Sequence, residues 1–212
     1  ILYEKLSPLH RVVVRKVGSQ IRLYFVDPRV DAASATARQT SGVMSRIDLD
    51  DPLALPSVYA QAMCLTFLWA PNPKRAYVLG YGGGRLPMLL HHWFPEIVVE
   101  STEIDPDLVE LSRDFFGMEF DERQIVAVED GRAYLERSGE RFDIIYLDAF
   151  RGTGYHPYQL STLEFYALCG ARLNPGGVVG INLIDTDPLI GKKLNTLERG
   201  FPQRGPDKDG IK

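Results

Sequence analysis

Val78-Leu-Gly-Tyr-Gly-Gly-Gly84 decides how this 212-residue chain is read. Ala76 to Tyr81 has the composition of a strand and Leu86 to Phe94 that of a helix. The glycines Gly80, Gly82, Gly83 and Gly84 therefore fall at a strand-to-helix turn, where the backbone can approach a ligand at the carboxyl edge of a parallel sheet. The third glycine of a dinucleotide fingerprint is missing: that position is Arg85 counting from Gly80 and Pro87 counting from Gly82. A nucleoside without the pyrophosphate of NAD fits better. The plain alternative is a glycine turn that only joins a strand to a helix.

Outward from this turn, helix and strand patterns alternate. Val58 to Trp69 reads as helix, Ile97 to Glu103 as strand, Pro106 to Phe116 as helix, Ile125 to Val128 as strand and Gly131 to Arg137 as helix. Phe142 to Leu147 and Gly177 to Leu183 follow as strands, with helices over Ser161 to Leu173 and Pro188 to Arg199. Strands such as Asp143-Ile-Ile-Tyr-Leu147 are almost wholly apolar, as expected when helices cover both faces of a parallel sheet. The fold class is α/β, a Rossmann-like doubly wound sheet. Pro106 after Asp105, and Asn174-Pro-Gly-Gly177 after a helix, mark element boundaries through fixed φ and glycine's conformational freedom.

Upstream the pattern changes. Arg11 to Lys16 and Ile21 to Val26 are β-branched and aromatic runs flanking Val17-Gly-Ser-Gln20, a hairpin signature, and Val43 to Leu49 reads as a third strand. Pro52 and Pro56 break the next stretch, which places a boundary between a small β-rich region, 1–56, and a nucleoside-binding core, 57–212. Gly200 to Lys212 reads as a loose polar tail. The two edge strands that usually close such a sheet have little sequence left to supply them.

Composition narrows the function. With 24 Lys and Arg against 28 Asp and Glu, the formal charge is −4, which argues against nucleic acid as a partner. The longest apolar run, Ala60 to Ala70, is interrupted and too short to cross a bilayer, and Ile1 to His10 lacks a signal-peptide pattern. No membrane partner is expected. Cys64 and Cys169 lack metal-site spacing and read as reduced thiols of a cytoplasmic protein. His91 and His92 face different sides of a helix, so no shared metal is expected.

Acids recur at strand ends. Glu103 and Asp105 lie about 20 residues past the glycines, where a carboxylate can accept from both ribose hydroxyls; Asp105 is equally suited to cap the next helix. Asp130, with Gly131, is placed to accept from an adenine amino group or to cap. Asp148 ends the fourth strand, in the crevice where a transferred group would lie. His156, in the following loop, is a candidate base near neutral pH, although a lone loop histidine more often has no chemical role.

These segments resemble the spermidine synthase family, which shares its core with class I methyltransferases that use S-adenosylmethionine. The resemblance spans nearly the whole chain. It implies a transferase that takes S-adenosylmethionine or its decarboxylated form as donor, needs no metal, acts on a small-molecule acceptor and forms a homodimer. By the same resemblance Glu103 is the ribose acid, Asp130 the adenine acid and Asp148 the catalytic acid. Gln39, Tyr59, Arg151 and Tyr155 fall at acceptor-side positions, and the surrounding segments look like a divergent branch.

The departures from the family pattern carry physical meaning. Arg85 replaces the aspartate that holds the donor's free amine, Arg151 replaces a second acceptor-side aspartate, and Tyr59 is followed by Ala60 and Gln61 rather than by an acid. A unit-charge pair at about 4 Å and an effective dielectric near 20 is worth about 4 kcal/mol, so exchanging acid for base disfavours a polyamine. Arg85 either pairs with the α-carboxylate of S-adenosylmethionine or points to solvent. Three readings remain: methyl transfer to a non-polyamine acceptor, aminopropyl transfer in polyamine biosynthesis, and a non-catalytic nucleoside-binding or assembly protein.

Overall fold

The computed structural model describes residues 1–7, 11–26, 42–150 and 156–201. The first sheet is an antiparallel meander of β1 (Tyr3–Leu6), β2 (Arg11–Val17), β3 (Gln20–Val26) and β4 (Val43–Asp48), in that spatial order. Val17 pairs with Gln20 across a two-residue turn in which Gly18 adopts φ +62°, the conformation the hairpin signature requires. Strand β1 was not legible in the sequence: it is short, lies at an edge and is largely exposed, so its residues do not alternate cleanly.

The second sheet is wholly parallel, ordered β7-β6-β5-β8-β9. Its strands are β5 (Arg75–Leu79), β6 (Val98–Glu103), β7 (Gln124–Val128), β8 (Phe142–Leu147) and β9 (Leu173–Ile181). The helices are α1 (Val58–Met63), α2 (Arg85–Trp93), α3 (Pro106–Phe116), α4 (Gly131–Arg137), α5 (Leu163–Ala171) and α6 (Ile190–Gly200). The chain winds outward from β5 to β7 and then returns to β8 on the other side of β5. The crevice above the carboxyl ends of β5 and β8 is therefore the topological switch point of a doubly wound sheet.

Alternation along β5 builds the core. Ala76 and Val78 join Leu86 and Leu90 of α2 on one face, while Tyr77 and Leu79 meet Leu135 of α4 and Phe165 of α5 on the other. A third cluster unites the sheets: Val12, Leu23 and Ile47 pack on Leu108, Leu111 and Phe116 of α3. Strand β6 departs from the apolar rule with buried Glu100, Ser101 and Thr102. Glu100 is met by Arg75 and the Tyr134 hydroxyl, and Thr102 shares a 2.7 Å hydrogen bond with Tyr77. Polar groups paired in this way lower the cost of burial.

Helix α3 follows its signals closely. Asp105 caps it, Pro106 opens it, and Gly117 closes it at φ +73°. Two expectations change. The helix expected over Val58 to Trp69 is α only to Met63 and continues as a tighter 3-10 turn over Cys64–Leu68. Strand β9 begins at Leu173, so Asn174-Pro-Gly-Gly177 lies inside the strand rather than before it. Pro175 is tolerated because β9 is an edge strand, and the ladder slips between Phe142 and Ile144 to absorb the irregularity. Among the described residues no helix is long and apolar enough to cross a membrane.

Candidate active site

A cavity of about 1290 Å³ opens at the switch point. Its walls come from the strand ends of the parallel sheet and also from Phe25, Val43, Met44 and Ser45 of the first sheet. The connector between β4 and α1, where the sequence places a boundary, thus joins two contributors to one site. The volume exceeds that of most single-ligand pockets.

The glycine turn forms one wall. Gly80 has φ +93°, and a Cβ there would sit 2.5 Å from the backbone N and Cα of Ala149, where the chain leaves the adjacent ends of β5 and β8. Gly84 is the N-cap of α2 at φ +70°. The backbone N–H groups of this turn have definite acceptors. Those of Tyr81 and Gly82 reach Glu103 Oε2 at 3.4 and 3.2 Å, and that of Gly83 reaches Ser45 Oγ at 2.9 Å. Ser45 was not singled out in the sequence, because only the fold brings β4 onto the turn.

Glu103 lines the cavity, and its other oxygen accepts from the N–H groups of Ile104 at 2.8 Å and Asp105 at 3.0 Å. Burial pushes its carboxyl above the usual glutamate range, against four backbone donors that pull it down. Glu103 thus locks the turn to the end of β6. Asp105 does not line the cavity; it caps α3, accepting from the Asp107 N–H at 3.1 Å. Its placement supports the capping alternative over a ligand role.

Asp130 does both of the things its sequence position allows: it caps α4 through the Ala133 N–H at 2.9 Å, and it lines the cavity. Gly131 is required by packing, since a Cβ there would overlap Leu79 and come within 2.7 Å of Thr102 Oγ1.

Arg85 is neither solvent-facing nor free. It is 7% exposed, and its guanidinium donates to the carbonyls of Phe116 at 3.2 Å, Pro52 at 2.5 Å and Ala54 at 3.3 Å. Burial lowers its pKa to about 10, so it stays charged at neutral pH. The expected solvent-facing alternative is corrected by these contacts, which fasten the connector to α2 and α3. Replacing Arg85 by Met leaves three carbonyls without their donor. It is expected to cost about 2–4 kcal/mol of stability in a urea titration, with an unchanged midpoint contradicting the tether.

Beside the glycine turn, at the end of the neighbouring strand β8, stands Asp148. Asn182 Nδ2 donates to its Oδ1 at 2.8 Å, and the Tyr59 hydroxyl also hydrogen-bonds to the carboxylate. Burial raises the Asp148 pKa to about 7, and these two donors hold it from rising further. Burial together with the nearby Asp148 pushes the Tyr59 phenol well above its usual value, so it remains protonated and donates. Tyr59 and Asp148, far apart in the chain, meet in the cavity wall. Asn182 was missed, although it follows the rule that found Asp148: it is the first polar residue after an apolar strand.

His156 is placed differently from its expected role as a base. It does not line the cavity; it is buried, tilted against the Phe150 ring at 4.5 Å between centroids, and its Nε2 pairs with the Asn182 carbonyl. Burial lowers its pKa, which keeps it neutral. Its assignment as a catalytic group is therefore corrected to a tie between two loops. Gln39, Arg151 and Tyr155 lie outside the described residues. Among the described residues no three His, Cys, Asp or Glu side chains cluster as a metal site would require.

Comparison with known proteins follows the same pattern. The family model described as "Spermine/spermidine synthase domain" matches residues 61–193. A polyamine aminopropyltransferase of Vibrio vulnificus is 32% identical over 146 residues, covering 68% of this chain and 48% of that protein. The chain thus spans about half the length of that relative. The crystal structure of human methyltransferase-like protein 13 in complex with SAH is 26% identical with a TM-score of 0.57, covering 66% of this chain and 69% of that one. A probable spermidine synthase from Corynebacterium glutamicum matches with a TM-score of 0.74 at 22% identity, covering 92% of this chain and 69% of that one, a likeness of fold. A glycine turn, an acid at each following strand end and a family match that runs through all of them lead to one conclusion: the chain belongs to the spermine/spermidine synthase domain family, a family of transferases.

Proposed function

We propose that this chain transfers an alkyl group, most simply methyl, from S-adenosylmethionine to a small non-polyamine acceptor with an N–H or O–H nucleophile. The observation that carries the reading is the Asp148 carboxyl, its pKa raised by burial to about 7, bonded by the Tyr59 hydroxyl and the Asn182 amide in the wall of the cavity that the glycine turn also lines. The donor is already activated. The acceptor's lone pair forms the new bond to the transferred carbon, the C–S bond breaks, and its electron pair leaves on sulfur as a neutral thioether. The acceptor's proton passes to Asp148, which must be ionised to receive it. Activity is therefore expected to rise with pH through about 7.

Position 85 disfavours the decarboxylated donor, whose arm ends in an ammonium with no carboxylate to offset it. The residue beside the glycines is a cation whose guanidinium is held on the Phe116, Pro52 and Ala54 carbonyls, rather than an acid. A second reading, aminopropyl transfer, is favoured by the aminopropyltransferase relative and by the acids Glu129, Asp130, Asp148 and Asp185 along the cavity, which suit a cationic acceptor. Calorimetry with S-adenosylmethionine and its decarboxylated form separates the two. At least tenfold tighter binding of the carboxylated donor is expected; the reverse order supports aminopropyl transfer, and binding of neither supports a non-catalytic protein.

A further inference from the structure

We infer that Asn182 is a positioning residue for the reaction: its side-chain amide aims the Asp148 carboxylate, and its backbone carbonyl, gripped by His156, fixes the amide's own direction. The inference rests on the proposed role of Asp148 as proton acceptor.

The contacts are specific. Asn182 stands one residue past β9, and its N–H donates to the Leu147 carbonyl at 3.0 Å, which continues the ladder between β8 and β9. This bond sets the backbone of Asn182 beside the residue preceding Asp148. The carbonyl of Asn182 pairs with His156 Nε2. As a carbonyl only accepts, the neutral imidazole must carry its proton on Nε2. His156 is in turn held by the Phe150 ring, with the buried pair Lys193 and Asp187 nearby, Nζ to Oδ2 2.5 Å. With backbone fixed on both sides, the side chain of Asn182 donates to Asp148 Oδ1 at 2.8 Å.

The arrangement has a chemical consequence. An amide nitrogen only donates, so the Asn182 bond favours ionised Asp148 at Oδ1, while the Tyr59 hydroxyl donates to the same carboxylate. Burial opposes this by favouring the protonated form. Asn182 thus keeps the group a proton acceptor in surroundings that would otherwise hold it protonated. Among the described residues, the interactions that lower its pKa are the hydrogen bonds of Asn182 and Tyr59.

The test reads Asp148 directly, without donor or acceptor, so it stands apart from the identity of the reaction. The whole chain is labelled with 13C at aspartate carboxyls, and the Asp148 resonance, identified by its loss in Asp148→Asn, is titrated by NMR. In the parent chain the midpoint is expected near 7. In Asn182→Leu, which has similar volume and no donor, it is expected to rise by about one pH unit. Asn182→Asp is isosteric and sets a second carboxyl against the first; the two are expected to titrate as a coupled pair, with one midpoint above that of the parent. A midpoint unchanged in either folded variant overturns the inference. If the midpoints move as stated but no donor binds, the positioning stands and the transferase reading fails.

Discussion

Asp148→Asn is expected to remove transfer almost completely while making the fold more stable in alkaline solution. Loss of the proton acceptor predicts a fall in turnover of about 10²- to 10⁴-fold. The stability change follows from linkage. The folded carboxyl keeps its proton up to about pH 7, whereas the unfolded one releases it near 3.8. The folded state therefore loses stability as pH rises between these values, reaching a plateau above 7. Each pH unit is worth about 1.4 kcal/mol, which bounds the penalty at about 4 kcal/mol. Thermal unfolding is expected to show the variant more stable than the parent at pH 8.5 and indistinguishable at pH 3. A variant less stable at pH 8.5 would mean that Asp148 is a structural acid rather than a strained functional one.

The second large effect is expected at Glu103, through the backbone. Glu103→Gln puts an NH₂ where one carboxylate oxygen accepted two N–H groups, so donors face donors at the glycine turn or at the start of α3. Buried N–H groups left without an acceptor cost about 1–3 kcal/mol each. The variant is expected to lose about 2–4 kcal/mol of folding stability and about 30- to 1000-fold in affinity for an adenosyl nucleoside. Nucleoside binding by calorimetry, with urea unfolding as control, checks both. Parent-like affinity in the variant would show that the turn holds its shape without this acid.

Much of this arrangement is readable along the chain, and the unread part has a common cause. The parallel sheet is legible because β5 and β8 are apolar runs and α3 carries its own punctuation in Asp105, Pro106 and Gly117. That Glu103, Asp130 and Asp148 border one cavity is legible because residues at the carboxyl ends of parallel strands face the crevice of such a sheet. What the sequence does not reveal is what each group spends its hydrogen bonds on. Arg85 looks like a free cation beside glycines, yet its acceptors are carbonyls more than 30 residues away, and carbonyls leave no mark in a sequence. Ser45 and Asn182 escape for the same reason: one faces the site because two sheets pack through α3, the other because β9 pairs with β8. His156, chemically suggestive by residue type, is drawn out of the cavity by a backbone carbonyl.

The most direct test is an amide NMR titration of the whole chain with 5′-methylthioadenosine, which carries the nucleoside without the charged arm. Saturable shifts are expected at Gly80 to Gly84, at Glu103 and Ile104, and at Asp130 and Gly131, the three strand ends that border the cavity. No saturable change, or changes confined to surfaces away from those strand ends, would contradict an adenosyl site.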